Sequence, residues 1–259
     1  MLSSGPAGTL WSSGPARPTQ AGQVLSRLAQ QLVLLTADAN AALREGTGAI
    51  DRGTTMVRVS LAINADSVST WFQPVISQLA RERSVLLDLH IEDQDHTETL
   101  LRRGDVMAAV TTSNTPASGC SIEPLGAMTY SVVCAPSLLH GLPPGQVDVS
   151  KLPMVRFDLK DDLQHAYLRM IGAVREPPIH YIPSNREFLS AVQLGLGWGA
   201  LPDGQISQDL ADGRLVSLDP DNTVQTPLFL HRWRFPSATL DRVTEIVRCA
   251  ARAALPAAK

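Results

Sequence analysis

From Ala21 onward, apolar residues return at alternating steps of four and three: Ala21, Leu25, Leu28, Leu32, Leu35, Ala39 and Ala42. This is the a/d spacing of a helix that offers a seam to a partner helix. It predicts a long helix over 19–46, stopped at Gly46 and Gly48. The alternative is an amphipathic helix folded onto its own domain. The seam precedes the globular part instead of lying within it, which favours self-association through Leu25, Leu28, Leu32 and Leu35. Ahead of it, residues 1–18 are rich in Ser, Gly, Pro and Ala and read as irregular.

Past the hinge the period changes. Met56–Ile63 (MVRVSLAI) alternates and then becomes wholly apolar, as a buried strand does. The polar turn Asn64–Ser67 (NADS) leads into a helix marked by Trp71, Phe72, Val75, Ile76 and Leu79. Val85–Ile91 (VLLDLHI) is a second strand, followed by Glu92, Asp93 and Asp95 and a helix through Leu100 and Leu101 that Gly104 stops. Val106–Val110 (VMAAV) is a third strand, ending in Thr111 and Thr112. The theme then repeats: strand Pro153–Phe157, helix Asp162–Ile171, strand Ile179–Ile182, helix Phe188–Leu194, a tight turn at Gly195–Gly199 (GLGWG) into another strand, and a return at Pro227–Trp233. A last helix puts Leu240, Val243, Ile246, Val247 and Ala250 on one face and is expected to pack back on the first lobe. Strands alternating with helices imply an α/β protein with a mostly parallel sheet. The expected division is a first lobe over 55–134 plus 230–255 and a second over 135–229, with a cleft between them.

Composition narrows the function. In 259 residues the hydrophobic share is 44% and the charged share 18%, as in soluble globular proteins. No apolar run reaches the roughly 18 residues a membrane helix needs. Met1–Gly14 carries neither a cation nor an apolar stretch, so it reads as neither export signal nor anchor, and the expected compartment is the cytoplasm. A net charge of −3 speaks against a free-standing nucleic-acid binder. Cys120, Cys134 and Cys249 are far apart; Cys134 and Cys249 sit in apolar contexts, so buried free thiols are expected. His90 and His96 are at neither i,i+3 nor i,i+4 spacing, so no metal site is expected. The glycines of Gly195–Gly199 follow a helix and precede a strand, the reverse of a dinucleotide fingerprint, and are read as allowing close packing. Ser67 has no visible tie to a histidine, and no nucleophile–base–orienter set stands out. No cofactor and no enzymatic activity are therefore expected. Trp71 and Trp198 read as core.

Several stretches together resemble one family. Arg17–Gly22 (RPTQAG) looks like the end of a wing running into the dimerisation helix of LysR-type transcriptional regulators. Gly195–Pro202 (GLGWGALP), followed by Leu210–Leu215 (LADGRL), looks like the second-lobe signature of their effector domains. Asn64–Phe72 (NADSVSTWF), Ile91–His96 (IEDQDH) and Ala109–Thr112 (AVTT) resemble the arginine- and lysine-responsive branch. The resemblance implies a two-lobed, periplasmic-binding-protein-like effector domain behind a linker helix, a homodimer or higher oligomer, lysine or arginine as effector, and an amino-acid exporter gene as target. The family reads DNA with an N-terminal winged helix-turn-helix of about 60 residues. Only Met1–Pro18 precedes the linker helix here, and Ser12–Pro15 (SSGP) replaces a usual basic position, so this chain is expected to lack specific operator affinity of its own.

The candidate effector residues follow. Asn64 and Ser67 stand at a helix N-terminus, where free N–H groups favour a carboxylate; Asp66 suits an α-ammonium beside it. Asp66 or Ser67 as a plain N-cap is the structural alternative, and the two roles are compatible. Glu92, Asp93 and Asp95 crowd like charges that an incoming lysine or arginine cation would relieve, unless they form a solvated acidic turn. Thr111 and Thr112 end the third strand, and Asn185 and Glu187 are expected to face the cleft. The competing readings are a two-lobed solute-binding protein, which would need an export signal, and an enzyme on two α/β lobes, which would need a catalytic set.

Overall fold

Val57–Ile63 is buried along almost its whole length, and it becomes the strand around which the first half of the protein is built. The computed structural model describes residues 11–12, 17–47, 56–91 and 94–257. In chain order the elements are β1 (Trp11–Ser12), β2 (Arg17–Pro18), α1 (Gln20–Thr47), β3 (Val57–Ile63), α2 (Ala65–Ser69), α3 (Gln73–Glu82), β4 (Val85–Ile91), α4 (Gln94–Arg103), β5 (Ala108–Thr111) and β6 (Cys120–Cys134). Then come β7 (Met154–Arg156), α5 (Leu163–Met170), β8 (Ile179–Tyr181), α6 (Asn185–Gln193), β9 (Gly199–Pro202), α7 (Asp203–Ala211), β10 (Val216–Ser217), β11 (Thr223–Trp233) and α8 (Ala238–Ala254). Two units are formed. Unit 1 takes Met1–Asn64, Phe72–Leu125 and Leu228–Ala254; unit 2 takes Ala65–Trp71, Gly126–Pro227 and Leu255–Lys259.

In unit 1, β3 pairs in parallel with β4 (Val57 opposite Val85, through to Ile63 opposite Ile91) and with β5 (Leu61 opposite Ala108). β11 closes on β5 antiparallel, with Phe229 opposite Thr111. β5 is buried throughout because it lies between β3 and β11. The expected apolar stripe of α8 is buried: Leu240, Val243, Ile246 and Val247 are 0–2% exposed, each worth about 1.5–3 kcal/mol of burial. α8 packs on α3 and α1.

α1 lies on unit 1 by its polar face. Leu34 is fully buried there, Asp38 Oδ1 accepts from the Thr239 amide and hydroxyl at the start of α8 (3.1 and 2.5 Å), and Arg27 reaches backbone carbonyls of unit 1. The leucine seam is turned the other way. Leu25, Leu28, Leu32 and Leu35 remain 52, 49, 54 and 40% exposed, so the seam is not what attaches the helix to its own domain.

Unit 2 is built on the second half of β6. Tyr130–Val133 pairs antiparallel with β9, and Val133–Cys134 with β10. β7 and β8 pair in parallel. Val133, Val155, Phe188, Val192, Leu201, Ile206 and Leu215 form the core. A side chain at Gly197 would come within 2.7 Å of the Pro153 carbonyl, which accounts for one glycine of the Gly195–Gly199 run as a close-packing device. Trp71 and Trp198 are core residues, 4 and 0% exposed.

Four expectations need correction. The strands are mixed, not mostly parallel: β5–β11, β6–β9 and β6–β10 are antiparallel, because the long strand β11 returns against β5 and the second half of β6 runs against β9 and β10. The unit boundary falls inside β6, at Leu125/Gly126, and inside β11, at Pro227/Leu228, instead of at residues 134/135 and 229/230; residues 65–71 also count with unit 2. Both strands continue unbroken across the boundary. The region expected to be irregular holds a two-residue antiparallel pair, Trp11 opposite Pro18; residues 1–10 and 13–16 lie outside the described ones. Cys120 and Cys134 are buried free thiols, but Cys249 is exposed: it lies on the polar side of α8, beside Glu245 (3.4 Å).

Candidate functional site

The polar stretch after β3 is not a turn but a helix of its own. α2 covers Ala65–Ser69. The Ser69 and Thr70 hydroxyls donate back to the Asp66 carbonyl (3.1 and 2.6 Å) and close it. Pro74 sits in the first turn of α3, where a missing N–H costs nothing and the fixed φ suits a helix start. The segment is thereby split at the buried pair Trp71 and Phe72.

Asp66 is the centre of the polar cluster in unit 2. Its Oδ2 accepts from the Tyr130 hydroxyl at 3.0 Å and its Oδ1 from Asn185 Nδ2 at 2.8 Å. Tyr130 comes from β6 and is 2% exposed; Asn185 is the first residue of α6. Burial pushes the Asp66 carboxyl above its ordinary value of 3.8, with Asp161 adding to the rise, while the hydrogen bonds from Tyr130 and Asn185 oppose it. Burial and the Asp66 charge push the Tyr130 hydroxyl well above its ordinary 10. Among the described residues no cation pairs with Asp66. The result is a carboxylate partly withdrawn from water, oriented by two neutral donors and lacking a counter-charge. Such a group binds an ammonium or guanidinium with a charge-assisted hydrogen bond.

Of the other candidates, Ser67 is fully buried and its hydroxyl donates to Met128 Sδ at 3.5 Å. Glu187 is not brought to Asp66: it is exposed on the first turn of α6 and accepts from the Ser184 hydroxyl, which holds its carboxyl below the usual range. Its carboxylate is thus satisfied by a hydroxyl three residues away. In unit 1, Asn64 is half-buried between β3 and α2. Thr111 is buried and its Oγ1 accepts from the Ser113 amide at 3.3 Å; Thr112 is half-buried. Asp95 lies in the first turn of α4, and Glu92 and Asp93 lie outside the described residues.

Residues 53–252 match the LysR substrate binding domain family. The chain is 42% identical over 244 residues to the lysine export transcriptional regulatory protein LysG of Corynebacterium efficiens, covering 93% of this chain and 81% of that protein. The chain belongs to the LysR family of transcriptional regulators. Full-length LysG of Corynebacterium glutamicum with its effector Arg bound superposes with a TM-score of 0.80 at 38% identity, over 95% of this chain and 84% of that one. ArgP of Mycobacterium tuberculosis does so with a TM-score of 0.79 at 35% identity, over 95% and 82%. Membership in a regulator family sets aside both the enzyme and the solute-binding readings of the α/β architecture. No helix among the described residues is long and apolar enough to cross a membrane.

In this LysR-family chain the residue of the candidate site missed from sequence is Tyr130. It sits in a stretch, Cys120–Cys134, whose Pro124 and Gly126 break the look of a strand. The available signal is chemical: a buried tyrosine needs a partner for its hydroxyl, and the Asp66 carboxylate is an acceptor.

Proposed function

We propose that this chain is the effector-sensing part of a LysR-type regulator that responds to a basic amino acid, lysine or arginine, and controls an amino-acid exporter gene. Asp66, oriented by Tyr130 and Asn185 and left without a counter-charge among the described residues, receives the ligand's cationic group. That geometry carries the reading, and the names of the relatives support its two halves: one is a lysine export regulator and another holds Arg as effector. The outward leucine seam of α1 is the surface that a second copy covers, giving a homodimer. Titration calorimetry with arginine, lysine and norleucine tests the effector. Arginine or lysine is expected to bind and to raise the melting temperature, as any ligand of the native state does, with norleucine much weaker. Absence of binding by both cations at millimolar concentration overturns the reading.

A further inference from the structure

We infer that Arg27 is a positioning residue that ties the α1 helix to the two unit 1 segments bearing candidate effector residues, and so carries effector binding into that helix. The inference rests on the effector reading above. The first segment is the loop from Thr112 to Gly119. At its start, Thr111 Oγ1 accepts from the Ser113 amide, and His231, 2% exposed, meets the Ser113 carbonyl with Nε2 at 2.8 Å. A carbonyl only accepts, so Nε2 carries the proton. At its end, Arg27 Nη1 and Nη2 donate to the carbonyls of Ser118 and Gly119 at 3.4 and 3.1 Å. The second segment is α4, with Asp95 in its first turn and Gly104 just past its last. A side chain at Gly104 would lie 3.1 Å from Arg27 Cα, so the end of α4 is seated on the α1 backbone at that residue.

The seat is closed by Trp233. Its ring centroid is 5.0 Å from the Arg27 guanidinium carbon, and its indole nitrogen donates to the Leu101 carbonyl of α4 at 3.3 Å. Trp233 is fully buried. Arg27 therefore touches the end of the loop, the end of α4 and the indole that binds α4. It makes no ion pair among the described residues; its fork is occupied by two successive carbonyls and its face by an aromatic ring. Only a planar guanidinium does both at once, which a lysine ammonium does not. Gly119 completes the fit: its φ is +76°, and a side chain there would meet Arg27 Nη2 at 2.9 Å. A displacement of either segment is passed to α1 at one point, on the side of the helix opposite its exposed leucines.

Hydrogen exchange of the full chain, with and without saturating arginine, tests this. In the unchanged protein, arginine is expected to alter exchange both in the 112–119 loop and in α1. Arg27→Ala and Gly119→Ala are each expected to abolish the α1 response while keeping the loop response and leaving the arginine Kd within about threefold, since neither residue is proposed to touch the ligand. Arg27→Lys, the mildest change, keeps the charge and the stem but loses the fork, and is expected to lose most of the α1 response. An α1 response that persists in all three variants overturns the inference, as does an unchanged protein that binds arginine with no response in α1. If the unchanged protein does not bind arginine at all, the effector reading fails, and this inference with it.

Discussion

Replacing Asp66 by Asn separates what that carboxylate does for binding from what it costs the fold. The amide is nearly isosteric: Oδ1 still accepts from Asn185, and Nδ2 donates to the Tyr130 oxygen, whose hydroxyl proton turns to Met128 Sδ, now 3.8 Å away. A hydrogen bond to a charged group contributes about 1.5–3 kcal/mol, so Asp66→Asn is expected to weaken arginine about 10- to 100-fold. In a thermal assay with arginine at 100 times the original Kd, the ligand adds about 2.7 kcal/mol to the unchanged protein and only about 0.4 kcal/mol after a hundredfold loss. At about 2–4 °C per kcal/mol for chains of this size, the arginine-induced shift drops from about 5–10 °C to about 1–2 °C.

Without ligand the sign reverses. The folded chain holds the Asp66 proton more tightly than the unfolded chain, because burial raises its pKa from 3.8. Its contribution to stability is therefore complete below the ordinary carboxylate range and is lost as pH rises through the raised folded value. Asn does not titrate. At neutral pH the ligand-free Asp66→Asn protein should melt above the unchanged one, and the difference should close as pH falls to the ordinary value. Arginine affinity should run the other way: it falls in the unchanged protein as Asp66 takes up its proton, and falls less steeply over that range in the variant, where only the other carboxylates titrate. An Asp66→Asn protein that binds arginine as well as before, or that melts lower at neutral pH without ligand, would refute the reasoning.

Tyr130→Phe removes the donor to Asp66 Oδ2, a bond worth about 0.5–1.5 kcal/mol; arginine should weaken about 2- to 10-fold by calorimetry, and its acid-side loss of affinity should begin at higher pH. Equal affinities at both neutral and mildly acid pH would remove Tyr130 from the site. Changing Glu92, Asp93 and Asp95 together to amides should weaken lysine and arginine about 10- to 100-fold while sparing a neutral amino acid; unaltered lysine affinity would return these residues to a solvated acidic turn. Leu28→Asp with Leu32→Asp places charge on a half-exposed seam, so the chain should fold with its melting temperature little changed and sediment as a monomer. A dimer retained at micromolar concentration would move the self-association surface elsewhere.

Where the sequence was legible, the determinants were local. The seven-residue spacing of Leu25, Leu28, Leu32 and Leu35 names a helix by itself, and strand β4 runs from Val85 to Ile91, the bounds read from the sequence. β6 escaped because its fifteen residues exceed a usual strand and contain both Pro124 and Gly126; nothing within that window says that β9 and β10 will pair with its second half. α2 escaped for a different reason. Five residues carry too little periodicity to be told from a turn, and the pair of hydroxyl back-bonds that closes it is decided only once Asp66 is helical.

The candidate site divides along the same line. Asp66 and Asn185 were each visible as polar residues at the edge of an element, yet the hydrogen bond between them spans 119 positions, and the one to Tyr130 spans 64. Glu187 looks equally available, and in the structure it accepts from Ser184, a partner three residues away. A carboxylate near a helix start is therefore ambiguous until its neighbours are counted. One that finds a hydroxyl within its own turn is satisfied locally, whereas one whose donors arrive from distant elements, with its charge desolvated and unpaired among the described residues, has been assembled at a cost to the fold. At neutral pH, where that carboxyl is not relieved by protonation, the proposed cationic ligand offsets the cost, and this separates Asp66 from Glu187 on physical grounds that no local reading of the two acidic residues contains.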